Sequence, residues 1–534
     1  MVIMKQRWTL HVENVGKVVE ADIQIAPLLC FVGDNNSGKS YMMTLLWGII
    51  QYGYVLFPKK SPSMADMSDN YKKCYYWVKK QLDNEEAEIN QEIADCYIQW
   101  FNELLERYRN KLLEKLFNYV VPSKKIEIRE FYLEGALKVS FYSSIEKVIP
   151  FLKNTKEFIP ADALFFGRDK EYRSTDDDIV RINARICLKL LSGKLNSQDS
   201  GLVHDYKALY LPASRTGILL VFKRLVSRSR DDGFLGAKVT RPYIDFINLL
   251  FNLEKVEPDQ LSSRRAKLLT FVQDKVMSGD IEIIKGKVPT FRYKPNASQK
   301  PLPLHITSSV VTEVAPLSLL LQSDTHFQTL IIEEPEAHLH PALQKVMAQC
   351  IIRLVNSGYN VWITTHSDVI LQHINNMIKF HHLSVVGKGS MPKKCYELMK
   401  KFQYEEQDII DPNKIAMYQF DHQDEPQMRI ATANKMSAEI QSIGQMKIAD
   451  VYVELGTDGL KNKDGESVEN IVERHVSLDN LGNHSYPVDS GMISREGTYV
   501  TQPKLTKYGF IVRTFNDALD QILQEVYAFQ GDGD

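Results

Sequence analysis

An α/β fold whose sheet is covered on both faces is predicted by three observations. The apolar runs in TLIIEEPE and NVWITTHS are separated by a helix pattern from Pro341 to about Asn356, as in buried parallel strands. A third apolar run, Leu28–Val32, passes through the glycine-rich turn GDNNSGKS into the helix-period segment YMMTLLWGIIQYGYVL. The 534 residues are 44% hydrophobic and 25% charged, enough apolar mass for a core and unlike a collagen-like or wholly disordered chain.

Ahead of the glycine-rich turn, runs around Trp8–Val12 and Val19–Ile25 alternate apolar and polar side chains, with Gly16 and Pro27 as punctuation, and read as strands. From about Pro58 to Tyr119, aromatic and aliphatic residues recur at i, i+3 and i+4, which predicts two long amphipathic helices. IEIREFYLE and ALKVSFYSS alternate as strands, and 151–200 is mixed and polar with the acidic run Asp176, Asp177, Asp178. KALYLPASRTG reads as a short buried strand, helical patterns fill 218–280, and IEIIKGKVPTFRYK resembles a hairpin. In LPLHITSSVVTEVAPLSLLLQ a strand is expected to pass through Ser308 and Ser309 into a helix. KIAMYQF is strand-like, 424–500 is polar and irregular, and KYGFIVRTFNDALDQILQEVYAF reads as a closing turn and helix.

These changes of character divide the chain. A core begins in 1–51, is interrupted by an inserted, mostly helical lobe at 52–200, and resumes in 201–423 with a helical subdomain at about 218–280. A polar insertion at 424–500, a candidate partner-binding segment, precedes a closing element at 501–534.

Lys and Arg number 65 and Asp and Glu 67, so the net charge of −2 requires no polyanion partner, although local basic patches remain. Six scattered cysteines without a C-x-x-C pair indicate neither a zinc ribbon nor a disulfide framework and fit a reducing compartment. With no signal-like start and no run of eighteen apolar residues, a cytoplasmic chain without a membrane span is expected.

Three motifs carry chemistry. Gly33-Asp34-Asn35-Asn36-Ser37-Gly38-Lys39-Ser40 matches G-x-x-x-x-G-K-[ST] between a strand and a helix. Its glycines let backbone N–H groups turn toward phosphate oxygens, Lys39 pairs with the β- and γ-phosphates, and the Ser40 hydroxyl ligates Mg²⁺. In Leu330-Ile331-Ile332-Glu333-Glu334-Pro335-Glu336 an apolar strand delivers acids at its C-terminal end: Glu333 for Mg²⁺, Glu334 to polarise the attacking water, and Glu336 to orient them or meet a partner. Ile363-Thr364-Thr365-His366-Ser367 ends a second apolar strand, where His366 can hydrogen-bond the γ-phosphate or serve as a loop histidine satisfied by backbone.

The chain resembles the ABC-superfamily ATPases of the SMC, RecF and OLD group, a stand-alone branch often grouped with AAA-type ATPases. GDNNSGKS is similar to the Walker A motif of that group, LIIEEPE to its Walker B, TTHS to its His switch and HLHP to its D-loop. The resemblance implies an ABC-type P-loop ATPase core with ATP and Mg²⁺, and covers about 1–51, 203–220, 300–385 and, more weakly, 412–422 and 500–530. It also implies that Ser308 and Ser309, in place of the signature motif, meet the γ-phosphate held by a second copy, making the protein a dimer or higher even oligomer. LSGGQ itself is absent; Gln51 and the LPASRTG strand both stand open for the Q-loop, and Arg215 for a nucleotide contact or a structural ion pair.

Within the resemblance, the ATPase of anti-phage defence systems such as Septu or retron-associated systems, controlling a separately encoded effector such as an HNH nuclease, is the preferred reading. A repair or chromosome-maintenance ATPase of RecF or SMC type is the alternative, and an OLD nuclease is disfavoured because Glu454 and Asp458 lack a following strand-borne Asp-x-Asp and read as loop residues; a transporter motor is disfavoured by the distant Walker motifs. Basic clusters at Lys223, Arg224, Arg228 and Arg230, at Arg264 and Arg265, and at Lys379, His381, His382, Lys388, Lys393, Lys394, Lys400 and Lys401 make DNA or RNA a candidate partner, against the alternative of solvated surface.

Overall fold

The structure, a computed structural model, describes residues 6–82, 84, 86–142, 163–167, 176–192, 205–232, 239–257, 260–297, 300–323, 325–385, 392–423, 447–448, 451–456, 459–462, 497–506, 509–510 and 512. The strands of the first half are β1 (Gln6–Val15), β2 (Val18–Gln24), β3 (Leu28–Gly33), β4 (Glu86–Ile89), β5 (Lys125–Leu133), β6 (Leu137–Tyr142), β7 (Ala163–Gly167) and β8 (Asp205–Leu211). Those of the second half are β9 (Gly279–Ile284), β10 (Thr290–Pro295), β11 (Leu302–Pro303), β12 (His326–Glu333), β13 (Asn360–Thr364), β14 (Ile415–Gln423), β15 (Lys447–Ile448), β16 (Val451–Gly456), β17 (Gly459–Asn462), β18 (Gly497–Thr501), β19 (Leu505–Thr506) and β20 (Gly509–Phe510).

Nine of these strands form one mixed sheet in the order β5-β1-β2-β18-β14-β3-β13-β12-β8. From β14 to β8 the pairings are parallel, whereas β1 pairs with β2 and β5 antiparallel. The parallel half has helices on both faces, as its unbroken apolar runs require. Leu29 and Phe31 of β3, Ile331 of β12 and Trp362 of β13 join one apolar cluster with the helices Lys39–Tyr52, Gln91–Phe117 and Asp176–Ser192. Their neighbours Leu28, Cys30, Val32, Leu330, Ile332, Val361 and Ile363 point the other way, into a cluster with the helices Arg241–Asn252, Ser309–Leu321, Pro341–Asn356 and Asp368–Val385. The period-2 side-chain alternation of a strand therefore feeds two cores at once.

Segment 52–200 supplies the two expected helices, Asp69–Gln81 and Gln91–Phe117, each started by a side chain that accepts a backbone N–H: Ser68 from Tyr71 and Asn90 from Ile93. It also supplies β5, which pairs with β1 in the main sheet, and β4, an unexpected short strand between the helices that pairs with β6. The acidic run Asp176–Asp178 opens the helix Asp176–Ser192, where negative charge suits the helix N-terminus.

Two expectations need correction. No strand passes through Ser308 and Ser309: β11 is only two residues long, a 3-10 turn covers Leu304–Ile306, and the Ser308 hydroxyl caps a helix by accepting from Val311 N–H. Glu454, expected in a loop, lies on β16 opposite Lys461 of β17. Asp458, the Lys388 of the third basic cluster and the closing helix lie outside the described residues.

Residues 1–421 and 499–534 form one compact unit and 422–498 another, in which β15, β16 and β17 pair antiparallel. All six cysteines are buried, and none is in a disulfide. Among the described residues, no helix is long and apolar enough to cross a membrane.

Candidate nucleotide site

The ends of β3, β13 and β12 stand level. Thr364 is in register with both Phe31 and Glu333, Thr365 N–H donates to Phe31 O at 2.9 Å, and Glu334 N–H donates to Thr364 O at 2.8 Å. The carboxyl ends of parallel strands are where open α/β sheets hold ligands.

The loop after β3 uses three left-handed residues, Gly33 (φ 122), Asn36 (φ 60) and Gly38 (φ 92), to turn back before the helix Lys39–Tyr52. That helix has no side-chain cap and no acid in its first turn, so its N-terminal amides and positive pole are not compensated by a side chain. Ser37, Gly38 and Lys39 are buried, whereas Asp34, Asn35, Asn36 and Ser40 are exposed. The Lys39 ammonium donates to Gly33 O at 3.0 Å, to Asp34 O and to the Ser37 hydroxyl at 3.3 Å. Burial pushes its pKa down to about 8, opposed by the charges of Asp34, Glu334 and Glu336.

Glu333 is buried, and both its oxygens are engaged: the Tyr210 hydroxyl donates to one at 2.9 Å and Ala213 N–H to the other at 3.0 Å. Burial and the Glu333 charge raise the Tyr210 pKa, keeping its phenol a donor. Two donors leave the carboxylate further lone pairs. Glu334 is half-buried and sits at φ 44, a backbone region that a non-glycine residue rarely adopts. Arg215 is buried beneath both acids, and its Nη1 and Nη2 donate to the carbonyls of Glu333 and Glu334 at 2.5 and 3.1 Å.

Glu336 orients the histidine loop rather than the other acids. Its carboxylate accepts from the Thr365 hydroxyl at 2.8 Å and from His366 N–H at 2.6 Å, while burial raises its pKa. Burial, aided by the Lys39 charge and opposed by the Glu334 charge, lowers the His366 pKa and favours the neutral ring. Gln344 joins the turn after Glu336 to this loop, donating to Leu339 O at 2.8 Å and accepting from the Ser367 hydroxyl at 2.6 Å.

The structure thus brings together Gly33–Ser40, Glu333, Glu334, Glu336 and His366. Ser308 and Ser309 stand exposed at the start of the helix Ser309–Leu321, and among the described residues no hydrogen bond joins them to the loop. The Gln51 side chain accepts from Ala208 N–H at 3.2 Å and ties its helix to β8, about three turns beyond the glycine-rich loop. Tyr210, Ala213, Glu313 and Gln344 are participants that no local motif announced.

Residues 240–371 match the model of the AAA ATPase domain, a nucleotide-binding and hydrolysing class; the match spans about a quarter of the chain and includes both acids and His366. No curated protein matches the sequence. Among solved structures, the chain is similar to the SMC head bound to the C-winged helix domain of ScpA, at 13% identity over 70% of this chain and 92% of that one, with a TM-score of 0.30. It is similar to the Pyrococcus furiosus Smc head with an extended coiled coil bound to the C-terminal domain of ScpA, at 14% identity, the same coverage and a TM-score of 0.27. The SMC head domain from Thermotoga maritima follows at 10% identity, again with 70% and 92% covered, and a TM-score of 0.25. Overlaps this loose carry nothing about activity or partners.

Proposed function

We propose that the chain is an ABC-type ATPase that binds and hydrolyses ATP, pairs with a second copy around the nucleotide, and controls a separately encoded effector, a nuclease, in bacterial anti-phage defence. The observation that carries the ATPase reading is the meeting of the Gly33–Ser40 loop, Glu333, Glu334 and His366 at the level ends of three adjacent parallel strands. Effector control and defence rest on the resemblance of the motifs.

In this reading the loop amides and Lys39 hold the β- and γ-phosphates. Ser40 and Glu333 would hold Mg²⁺: an exposed hydroxyl at a helix start and a fixed carboxylate with lone pairs to spare suit a hard cation. When bound, that ion neutralises charge on the phosphate oxygens. Glu334 takes the proton from water as its oxygen bonds to the γ-phosphorus; the bond to the bridging oxygen breaks, and ADP and phosphate leave. Neutral His366 hydrogen-bonds a γ-phosphate oxygen, and Ser308 and Ser309 of the second copy close the pocket from outside.

Two substitutions test this. Lys39→Ala should abolish ATP binding in a filter or calorimetric assay. Glu334→Gln should retain ATP while hydrolysis falls by about a hundredfold or more; undiminished hydrolysis would remove Glu334 as the base. For the effector, co-expression with a nuclease encoded beside this gene should show cleavage that changes with Glu334→Gln, whereas a neighbouring permease gene would favour transport.

A further inference from the structure

We infer that Arg215 and Glu313 form a positioning pair that fixes Glu334 and links it to the helix bearing Ser308 and Ser309; the inference rests on the ATPase reading above. Arg215 is the first residue of the helix Arg215–Asp232, joined to β8 by Pro212, Ala213 and Ser214. Its guanidinium is 3% exposed and spends its donors almost wholly on backbone: Pro212 O at 3.2 Å, Glu313 O at 3.3 Å, Glu333 O at 2.5 Å and Glu334 O at 3.1 Å. Its charge is met by the Glu313 carboxylate, itself 1% exposed, which also accepts from the Thr216 hydroxyl.

Packing alone does not call for this arrangement, because a buried ion pair costs so much desolvation that apolar residues of similar size commonly serve stability as well. What a rigid fork of five donors provides is simultaneous geometry at several acceptors, which a lysine ammonium cannot reproduce. Two of the acceptors here are the carbonyls of Glu333 and Glu334, the acids assigned to the metal ion and to the attacking water. Glu334 is held at φ 44 by its N–H on Thr364 O and by its carbonyl, which accepts from Ala337 N–H at 3.0 Å and from the Arg215 fork; the fork is the side-chain contribution to the unusual backbone that aims its carboxylate.

Glu313 lies one turn beyond Ser309 on the same helix. A second copy that seats on Ser308 and Ser309 therefore presses on an element whose next turn is clamped to Arg215, and through it to Glu334. Pairing is transmitted to the base through the buried Arg215–Glu313 pair.

The test separates positioning from binding and from folding. Arg215→Lys should bind ATP with an affinity within about threefold of the parent and, combined with Glu334→Gln, should still pair on adding ATP, yet its kcat should fall by about a hundredfold at unchanged KM. Thr216→Val, which releases one bond to Glu313 and leaves the guanidinium intact, should lower kcat by about tenfold with the thermal midpoint unchanged, and stands in if Arg215→Lys does not fold. Unchanged kcat in the variants, or kcat and ATP affinity lost together, overturns the positioning role. A parent chain that does not hydrolyse ATP removes the ATPase reading itself, whereas an active parent beside fully active variants removes only this pair.

Discussion

Gly33 shows how tightly single residues are constrained here. A Cβ at that position would lie 2.1 Å from Phe420 O of β14, and φ is 122, so any side chain must both strain the backbone and push the neighbouring strand away. Gly33→Ala should destabilise the fold by more than about 1 kcal/mol and weaken ATP binding, measured by urea denaturation and calorimetry on the same sample. A variant with parental stability would mean that β14 yields easily. The Gly33–Ser40 loop, Glu333, Glu334 and His366, which the structure brings together, could be singled out in the sequence because each belongs to a short motif at the end of an apolar strand. Tyr210 and Ala213 could not, since they reach Glu333 from well over a hundred residues away and only the sheet pairing of β8 with β12 puts them there; Arg215 stood open for a nucleotide contact or an ion pair, and the structure shows the ion pair, with Glu313. Gln51, one of two candidates left open for the Q-loop, lies in the last turn of the helix Lys39–Tyr52, where its side chain accepts from the backbone of β8.

The parallel strands were legible as elements because full burial leaves them unbroken apolar runs, while the antiparallel β1 and β2 show alternation. The start of the helix Ser309–Leu321 was not, because Ser-Ser before a β-branched run reads equally as strand, and only the cap bond from Val311 to Ser308 decides it. The helix Asp368–Val385 carries a property that no pattern reveals. His373 on its inner face is 4% exposed, its Nε2 has no hydrogen-bond partner among the described residues, its ring packs near Tyr404, and burial aided by the Lys345 charge pushes its pKa down to about 4. Since the usual value is 6.5, the unfolded chain binds a proton between pH 6.5 and 4 that the folded chain refuses, and stability falls as pH drops through that window. The loss is at most about 1.4 kcal/mol per pH unit from this residue. His373→Phe should remove that component and flatten the acid limb of a stability–pH curve between those values; an unaltered limb would place the acid sensitivity elsewhere.

At the scale of the whole molecule, the prediction concerns pairing. The phosphate loop and the acids of one chain form an electropositive helix start facing anchored carboxylates, but Ser308 and Ser309 lie exposed at a helix N-terminus without any bond to that loop. If the serines act, they act on the nucleotide of another copy, and by two-fold symmetry each copy gives what it receives. Hydrolysis then requires two chains while ATP binding requires one. Ser309→Arg leaves the Ser308 cap in place, so the helix should survive, and sets a bulky cation where the second surface must close. In the Glu334→Gln background, light scattering should show ATP-dependent doubling of mass that Ser309→Arg abolishes. In the otherwise parental chain, the same change should lower hydrolysis by about a hundredfold, with ATP affinity within about threefold. Pairing that persists in Ser309→Arg, or full hydrolysis by a chain that never pairs, would confine the reaction to one copy and leave the serines without a role.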